Sequence, residues 1–506
     1  MPDHASEAEA REFAAAFRSF LDWVRVAERE ERNQVAALVA DFLGPDGAAH
    51  SVVSRELPVF EHVNLQAAID AWSAADGRTV AVHGVSMPPH YSLVLQQIVG
   101  TESGVPLRLT APALVDLPSG PESTLGCLKL AVLLVTDRHG RYVIMVQGPG
   151  EHHPGLEVEV AGLPVDAAQA LLTELDQLRS ELNVYRGHVL DVTLTPNGVA
   201  LGFLKSPGLT RDDVVLPEAV LARAERHALG VAAHRDALLA AGQHLKRGLL
   251  LYGPPGTGKT HTTRYLLGRM AGYTRLVLTG RSLVAIGAIA EMARALQPAV
   301  VVLEDVDLVA EDRSARSSSP VLFDLLDAMD GAAPDADLLF LLTTNRADLL
   351  EPALAARPGR VDVAVEIELP DAAARERLLA LYGRGVPLAL TAEDIATAVE
   401  RTDGTTASFL KELIRRSLLE ALHEPPRPAG ATAHGPGTGA PVPTVSGVHL
   451  ARALDDLLDS AQGVTRTLLG VGVDPATLPA GGALGLSPAS AMARRMGVGR
   501  SAIIRR

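Results

Sequence analysis

Eight consecutive residues, Gly253-Pro254-Pro255-Gly256-Thr257-Gly258-Lys259-Thr260, set glycines, one lysine and one hydroxyl in the order Gly-x4-Gly-Lys-Thr. Glycines allow backbone N–H groups to curl around a phosphate, the Lys259 ammonium meets the charge of a β- and γ-phosphate, and the Thr260 hydroxyl is a ligand for Mg2+. Such a loop works only between a strand and a helix. The apolar run Gly248 to Leu251 precedes it and helical spacing begins at His261, so the phosphate-binding set is Gly253 to Thr260 with His261 at the helix start.

Two further apolar runs end in groups that suit the same chemistry. Ala299-Val300-Val301-Val302-Leu303 leads into Glu304-Asp305-Val306-Asp307, and Leu338 to Leu342 leads into Thr343-Thr344-Asn345. Continuous apolar runs of this length read as buried parallel strands, and open α/β sheets bind ligands at the carboxyl edge of such strands. Glu304 then enters the Mg2+ shell, Asp305 polarises an attacking water, and the Asn345 amide orients it.

These strand ends must share one edge of a sheet. From 209 to 384 strands and helices alternate, as a parallel sheet covered on both faces requires. A helical lid follows over 385–458, interrupted at 425–444 by PPRPAGATAHGPGTGAPVPT, a Pro/Gly-rich flexible insertion, after which Val448 to Leu458 resumes helical spacing. Residues 459–506 read as a flexible tail with a basic end. Upstream, residues 1–48 are a helical segment, with apolar spacing over 6–43 that stops at Gly44-Pro45. Residues 49–208 read as an α+β domain: Lys129 to Val135 with Arg141 to Gln147, and Val189 to Thr195 with Val199 to Leu204, form hairpins, and Val165 to Leu182 forms a helix. His152-His153 has no further ligands at a defined spacing and reads as a surface turn.

Composition bounds the function. Hydrophobic residues are 47%, charged residues 21% and aromatics 4% of 506 residues, which excludes a disordered chain and opposes an aromatic base-stacking surface. Lys plus Arg is 46 against 60 for Asp plus Glu, a net charge of −14, the wrong sign for coating nucleic acid or anionic lipid. The single cysteine, Cys127, suits a reducing compartment. No uncharged apolar run is long enough to span a membrane, and the N-terminus is acidic rather than a leader. The expectation is a cytoplasmic protein with no membrane span and no nucleic-acid partner.

Gly253 to Thr260, Leu303 to Asp307, Leu325-Leu326-Asp327-Ala328-Met329-Asp330-Gly331, Thr343 to Arg346, and Glu351-Pro352-Ala353-Leu354-Ala355-Ala356-Arg357-Pro358-Gly359-Arg360-Val361-Asp362 together resemble the AAA ATPase family over about 210–458. The resemblance implies a P-loop α/β subdomain with a helical lid, ATP and Mg2+ at the site, and assembly into rings, usually hexameric. It makes Asn345 the first sensor and Arg357 and Arg360 arginine fingers that enter a neighbouring subunit's site. A guanidinium on the γ-phosphate is worth about 10³ to 10⁵ in rate, so a lone subunit should hydrolyse slowly.

Three departures from the family pattern narrow the reading. Most members end the second motif strand in Asp-Glu, whereas here the order is Glu304-Asp305. Glu-Asp-Val-Asp and Arg-Pro-Gly-Arg-Val-Asp are similar to the Bcs-type branch, whose members carry a membrane helix that is not read here. Protein-threading members carry an aromatic pore loop, but no aromatic occurs from 274 to 298. The lid run Gly404-Thr405-Thr406-Ala407-Ser408-Phe409 also differs from the family's Gly-aromatic-Ser-Gly-Ala-Asp. The expectation is a ring-forming remodelling ATPase whose N-terminal domain selects a protein client. The other reading is an ATP-gated scaffold with negligible turnover.

Overall fold

The computed structural model describes residues 15–20, 33–88, 93–100, 106–150, 153–196, 198–206, 208–307, 336–346, 361–424 and 442–459. They fall into two compact units, 1–253 with 258–368, and 254–257 with 369–506. No helix among the described residues is long and apolar enough to cross a membrane.

The first unit opens with strands β1 (Val53–Leu57), β2 (Thr79–Ser86), β3 (Arg108–Thr110), β4 (Leu114–Pro118), β5 (Thr124–Leu128), β6 (Leu130–Asp137), β7 (Gly140–Gln147) and β8 (Leu156–Ala161), and helices α1 (Gln34–Ala48), α2 (His62–Ser73), α3 (Leu95–Val99) and α4 (Val165–Glu181). Six of the strands form an antiparallel sheet in the order β1-β8-β7-β6-β2-β3, and β4 and β5 pair as a separate hairpin. Side chains alternate across a strand. Ala131, Leu133 and Val135 of β6, with Tyr142, Ile144 and Val146 of β7, therefore pack with α2 and α4 through Leu65, Ile69, Trp72, Leu171 and Leu175. Val132, Leu134, Val143 and Met145 face the other way and bury against Val35, Val39 and Leu43 of α1. Because both faces are covered, β6 is apolar almost without a break.

Asn33 caps α1, its Oδ1 accepting the Ala36 N–H at 3.1 Å. The helix breaks at Gly44-Pro45 as its spacing predicts. Gly44 takes φ +67° and the helix resumes to Ala48 beyond a kink. A proline is tolerated in the first turn of the resumed segment, where its missing N–H has no partner to lose. Residues 15–20 are helical with Phe17 and Phe20 exposed, whereas Glu28 to Arg32 lie outside the described residues.

The second sheet of this unit contains β9 (Val189–Thr195), β10 (Gly198–Leu204), β11 (Arg247–Tyr252), β12 (Thr274–Thr279), β13 (Ala299–Glu304), β14 (Leu338–Thr344) and β15 (Val363–Glu366), in the order β10-β9-β12-β13-β14-β11-β15. All neighbours are parallel except the β9–β10 hairpin. Sequence spacing put that hairpin in the 49–208 segment. It instead extends the parallel sheet, β9 pairing with β12 from Val189 opposite Arg275 to Val192 opposite Leu278. Helices α5 (Glu218–Ala233), α6 (Arg235–Ala240), α7 (Lys259–Arg269) and α8 (Ile286–Ala295) complete the layers. Leu249, Leu251, Val300, Val302, Leu339 and Leu341 pack toward α5 and α7. Leu250, Val301, Leu303, Phe340 and Leu342 pack toward α8. Each fully buried aliphatic side chain contributes about 1.5 to 3 kcal/mol.

The two sheets share a core. Val63 and Cys127 are buried in the same cluster as Leu190, Val192 and Leu276, with Phe60, Val115, Leu117 and Leu125 packed against it. Asn64 Oδ1 accepts the Val184 N–H at 2.9 Å, and the Tyr185 hydroxyl donates to the Phe60 carbonyl at 2.8 Å. These two hydrogen bonds cross the junction alongside the apolar packing.

The second unit holds α9 (Ala372–Tyr382), α10 (Ala392–Arg401), α11 (Ala407–His423) and α12 (Gly447–Leu458), with the short parallel pair β16 (Leu388–Ala389) and β17 (Val445–Ser446). Asp371 caps α9, and Thr391 with Asp394 forms a capping box on α10. Within this unit the Ser408 N–H donates to the Gly256 carbonyl at 3.1 Å. The Pro/Gly-rich segment lies outside the described residues except for 442–444, as does the tail beyond Asp459.

Candidate functional site

The phosphate-loop pattern sits where the sequence requires, between β11 and α7. Gly253 has φ +143°, and a Cβ there would meet the Ile367 carbonyl oxygen at 2.2 Å, so no side chain fits. Gly258, at φ +110°, turns the chain into α7. Lys259, the first residue of that helix, is 5% exposed and its Nζ donates to the Gly253 carbonyl at 2.8 Å. Burial pulls the Lys259 ammonium down to about 8, against the opposing pull of the Asp305 and Asp307 charges. The Thr257 hydroxyl donates to the Pro254 carbonyl at 2.9 Å. The exposed His261 ring is committed to the Asp213 carbonyl at 2.8 Å. Its backbone N–H, rather than its side chain, fits the phosphate-binding expectation.

Parallel registry brings the other groups to the same edge. Leu250 is opposite Leu342, and Leu342 is opposite Leu303, so β11, β14 and β13 end side by side. The Thr260 hydroxyl hydrogen-bonds the half-buried Glu304 carboxylate. Burial raises the Glu304 carboxyl above its ordinary value, as does the Asp305 charge, while Arg264 and the Thr260 bond oppose the rise. A hydroxyl and a carboxylate are hard oxygen donors, which suits Mg2+.

Asp305 has φ +51°, the left-handed region. Its N–H donates to Thr343 Oγ at 3.0 Å, and the next N–H, of Val306, donates to the Thr343 carbonyl at 3.0 Å. Burial lifts the Asp305 carboxyl above its usual range, and the Asp307 charge adds to this. Lys259 and a hydrogen bond from Asn345 work the other way. A carboxylate raised toward neutrality is a better proton acceptor for catalysis.

Asp307 was not among the site residues expected from sequence. It is 5% exposed and accepts the Thr344 hydroxyl at 3.0 Å and the Asn345 backbone N–H at 3.1 Å. The Asn345 side-chain nitrogen makes long contacts of 3.4 Å to Asp307 and 3.4 Å to Asp305. The only sequence signal was an acid two residues past Asp305, and its meaning depends on the β13–β14 registry. Arg357 and Arg360 lie outside the described residues, as do 325–331 and 351–356. Among the described residues no group of three or more His, Cys, Asp or Glu is arranged to hold a metal.

A sequence model of the "ATPase family associated with various cellular activities (AAA)" matches residues 249–369. The ATP-dependent zinc metalloprotease FtsH of Thermus thermophilus is 34% identical over 198 residues, 36% of this chain and 31% of that protein. FtsH 4 of Sphaerobacter thermophilus, an ATP-dependent zinc metalloprotease, is 36% identical over 199 residues, 36% of this chain and 30% of that protein. The ATP-dependent zinc metalloprotease FtsH of Mycobacterium tuberculosis is 34% identical over 200 residues, 37% of this chain and 26% of that protein. The chain spans about a third or less of the length of these relatives. With the phosphate-loop pattern, the acidic strand end and Asn345 on one edge of a parallel sheet, residues 249–369 match the AAA ATPase family model.

Proposed function

We propose that the protein hydrolyses ATP to ADP and phosphate as a ring-forming, cytoplasmic remodelling ATPase, with the N-terminal sheet domain recognising a protein client. The observation that carries this reading is the meeting of Lys259, Thr260, Glu304, Asp305 and Asn345 at the carboxyl ends of three adjacent parallel strands. Backbone N–H groups of Gly253 to His261 and the Lys259 ammonium hold the phosphates. Thr260 and Glu304 would hold Mg2+, which supplies charge neutralisation on the β- and γ-phosphate oxygens. Asp305 accepts a proton from the attacking water and Asn345 orients that water. Arg357 and Arg360 of a neighbouring copy stabilise the charge that develops on the γ-phosphoryl group.

The relatives' names carry ATP dependence, which favours turnover over a scaffold that only binds nucleotide. The zinc protease in those names is not carried over, because the 506 residues contain no His-Glu-x-x-His. Phosphate release per subunit, measured against protein concentration, tests the reading. A steep rise as subunits assemble is expected, and a monomer working at the full rate contradicts it. Affinity capture with full-length Asp305→Asn, held in the ATP state, tests the client: recovery of one protein in an ATP-dependent manner is expected, and identical recoveries with and without ATP oppose it.

A further inference from the structure

We propose that Asp307 is a positioning residue: together with Asp305 it fixes the orientation of the Asn345 side-chain amide, so that the amide oxygen is the group offered to the attacking water. The proposal rests on the ATP-hydrolysis reading and adds a residue to it.

The argument begins with what each group can do. A carboxylate only accepts hydrogen bonds, whereas a side-chain amide has an NH2 donor at one end and an oxygen acceptor at the other. The Asn345 amide reaches carboxylate oxygens of both Asp305 and Asp307 at 3.4 Å. An amide oxygen aimed at two carboxylates would set acceptor against acceptor, so chemistry selects the orientation in which NH2 faces both acids. Both N–H groups are then directed to the carboxylates, and Oδ1 is left to accept a hydrogen from water. Asp305, the other acceptor at that water, takes its proton when the water oxygen forms the new bond to phosphorus and the bond to ADP breaks.

Asp307 is itself aimed by the strand that carries Asn345. Its Oδ1 accepts the Thr344 hydroxyl at 3.0 Å and the Asn345 N–H at 3.1 Å, in a pocket that leaves the residue 5% exposed. Carboxylate and amide are thus referred to the same end of β14. An asparagine at 307 would keep the shape but could offer either donor or acceptor, and the Asn345 amide would lose its single orientation. An effect on turnover, with nucleotide affinity retained, follows from this placement.

The test is a double-mutant cycle on the assembled full chain, with steady-state phosphate release and affinity for a fluorescent ATP analogue as readouts. Asp307→Asn should lower kcat about 10- to 100-fold, the range seen when partners that orient a site residue are removed. Affinity should stay within about threefold. In an Asn345→Ala background the same substitution should add less than about threefold, because its effect passes through Asn345. Thr344→Val, which keeps the charge and removes one anchor, should show a smaller loss of kcat with the same dependence on Asn345. It serves if Asp307→Asn fails to fold. Three results overturn the proposal: unchanged kcat, an equal fall in the Asn345→Ala background, or a loss of affinity that matches the loss of rate. A wild-type rate no higher than that of Lys259→Ala overturns the ATPase reading and this proposal together. Normal wild-type turnover with an inert Asp307→Asn overturns this proposal alone.

Discussion

Asp305 holds a left-handed backbone at φ +51°, and the hydroxyl of Thr343 on the neighbouring strand accepts its N–H at 3.0 Å. Aspartate tolerates that region better than most residues that carry a Cβ, because its short polar side chain can hydrogen-bond locally. The reversed order Glu304-Asp305 puts a short carboxylate at the position expected to polarise water, and that residue sits in a turn. Thr343 is fully buried and secures the turn twice, through Oγ and through its carbonyl.

Thr343→Val keeps the shape of the side chain and removes the acceptor. Leaving the Asp305 N–H without its partner should destabilise the fold by about 1 to 3 kcal/mol. Turnover should fall as well, since the Asp305 carboxylate is no longer held. Chemical denaturation and phosphate release check both. A variant with wild-type stability and rate would show that the turn does not depend on Thr343.

The N-terminal sheet contains its own pH dependence. Glu159 is 4% exposed, accepts the Leu95 N–H at 2.9 Å, and is pushed by burial up to about 7 from an ordinary value of 4.5. A carboxyl with a raised folded-state value is favoured in its neutral form, so the fold binds the proton more tightly than the unfolded chain. Stability from this group is full below about 4.5 and is lost as pH rises to about 7, to an extent of about 3 kcal/mol. Glu159→Gln should flatten that slope. Thermal unfolding between pH 5 and 8 is the measurement, and equal slopes for the two proteins would mean that Glu159 is not the group responsible.

The proposed role of Arg357 and Arg360 makes a prediction that depends on assembly. If Arg357 and Arg360 act on a neighbour, a double Arg357→Ala, Arg360→Ala chain keeps an intact phosphate loop but gives its neighbour nothing. A Lys259→Ala chain has the reverse defect. Each alone should be inactive, and mixing them should restore a part of the rate, since some sites then combine an intact loop with intact arginines. Mixtures that stay at background after subunit exchange would place the arginines' action within their own subunit or outside catalysis.

How far the sequence could be read depended on whether a feature was local. The phosphate loop was legible because its chemistry is contained in eight neighbouring residues, and Gly253 explains itself once a Cβ meets the Ile367 carbonyl. The β9–β10 hairpin was legible as a hairpin but not as part of the parallel sheet, since alternation in Val189 to Leu204 is the same whichever sheet it joins. Asp307 was legible as an acid, but its contacts to Thr344 and Asn345 span 37 and 38 residues and come from registry alone. The break in α1 was legible because Gly44-Pro45 is a strong local stop signal: Gly44 leaves helical geometry there, and a short turn from Pro45 to Ala48 follows it.

Phosphate release from Mg-ATP by the assembled wild-type chain, Lys259→Ala and Asp305→Asn, with nucleotide binding measured on the same three preparations, bears on the account most directly. Sustained wild-type release is predicted, with neither binding nor release for Lys259→Ala. Asp305→Asn should retain binding with release lowered at least about 100-fold, the lower range for removing a general base. Equal release from all three, or undiminished binding by Lys259→Ala with undiminished release by Asp305→Asn, would contradict it.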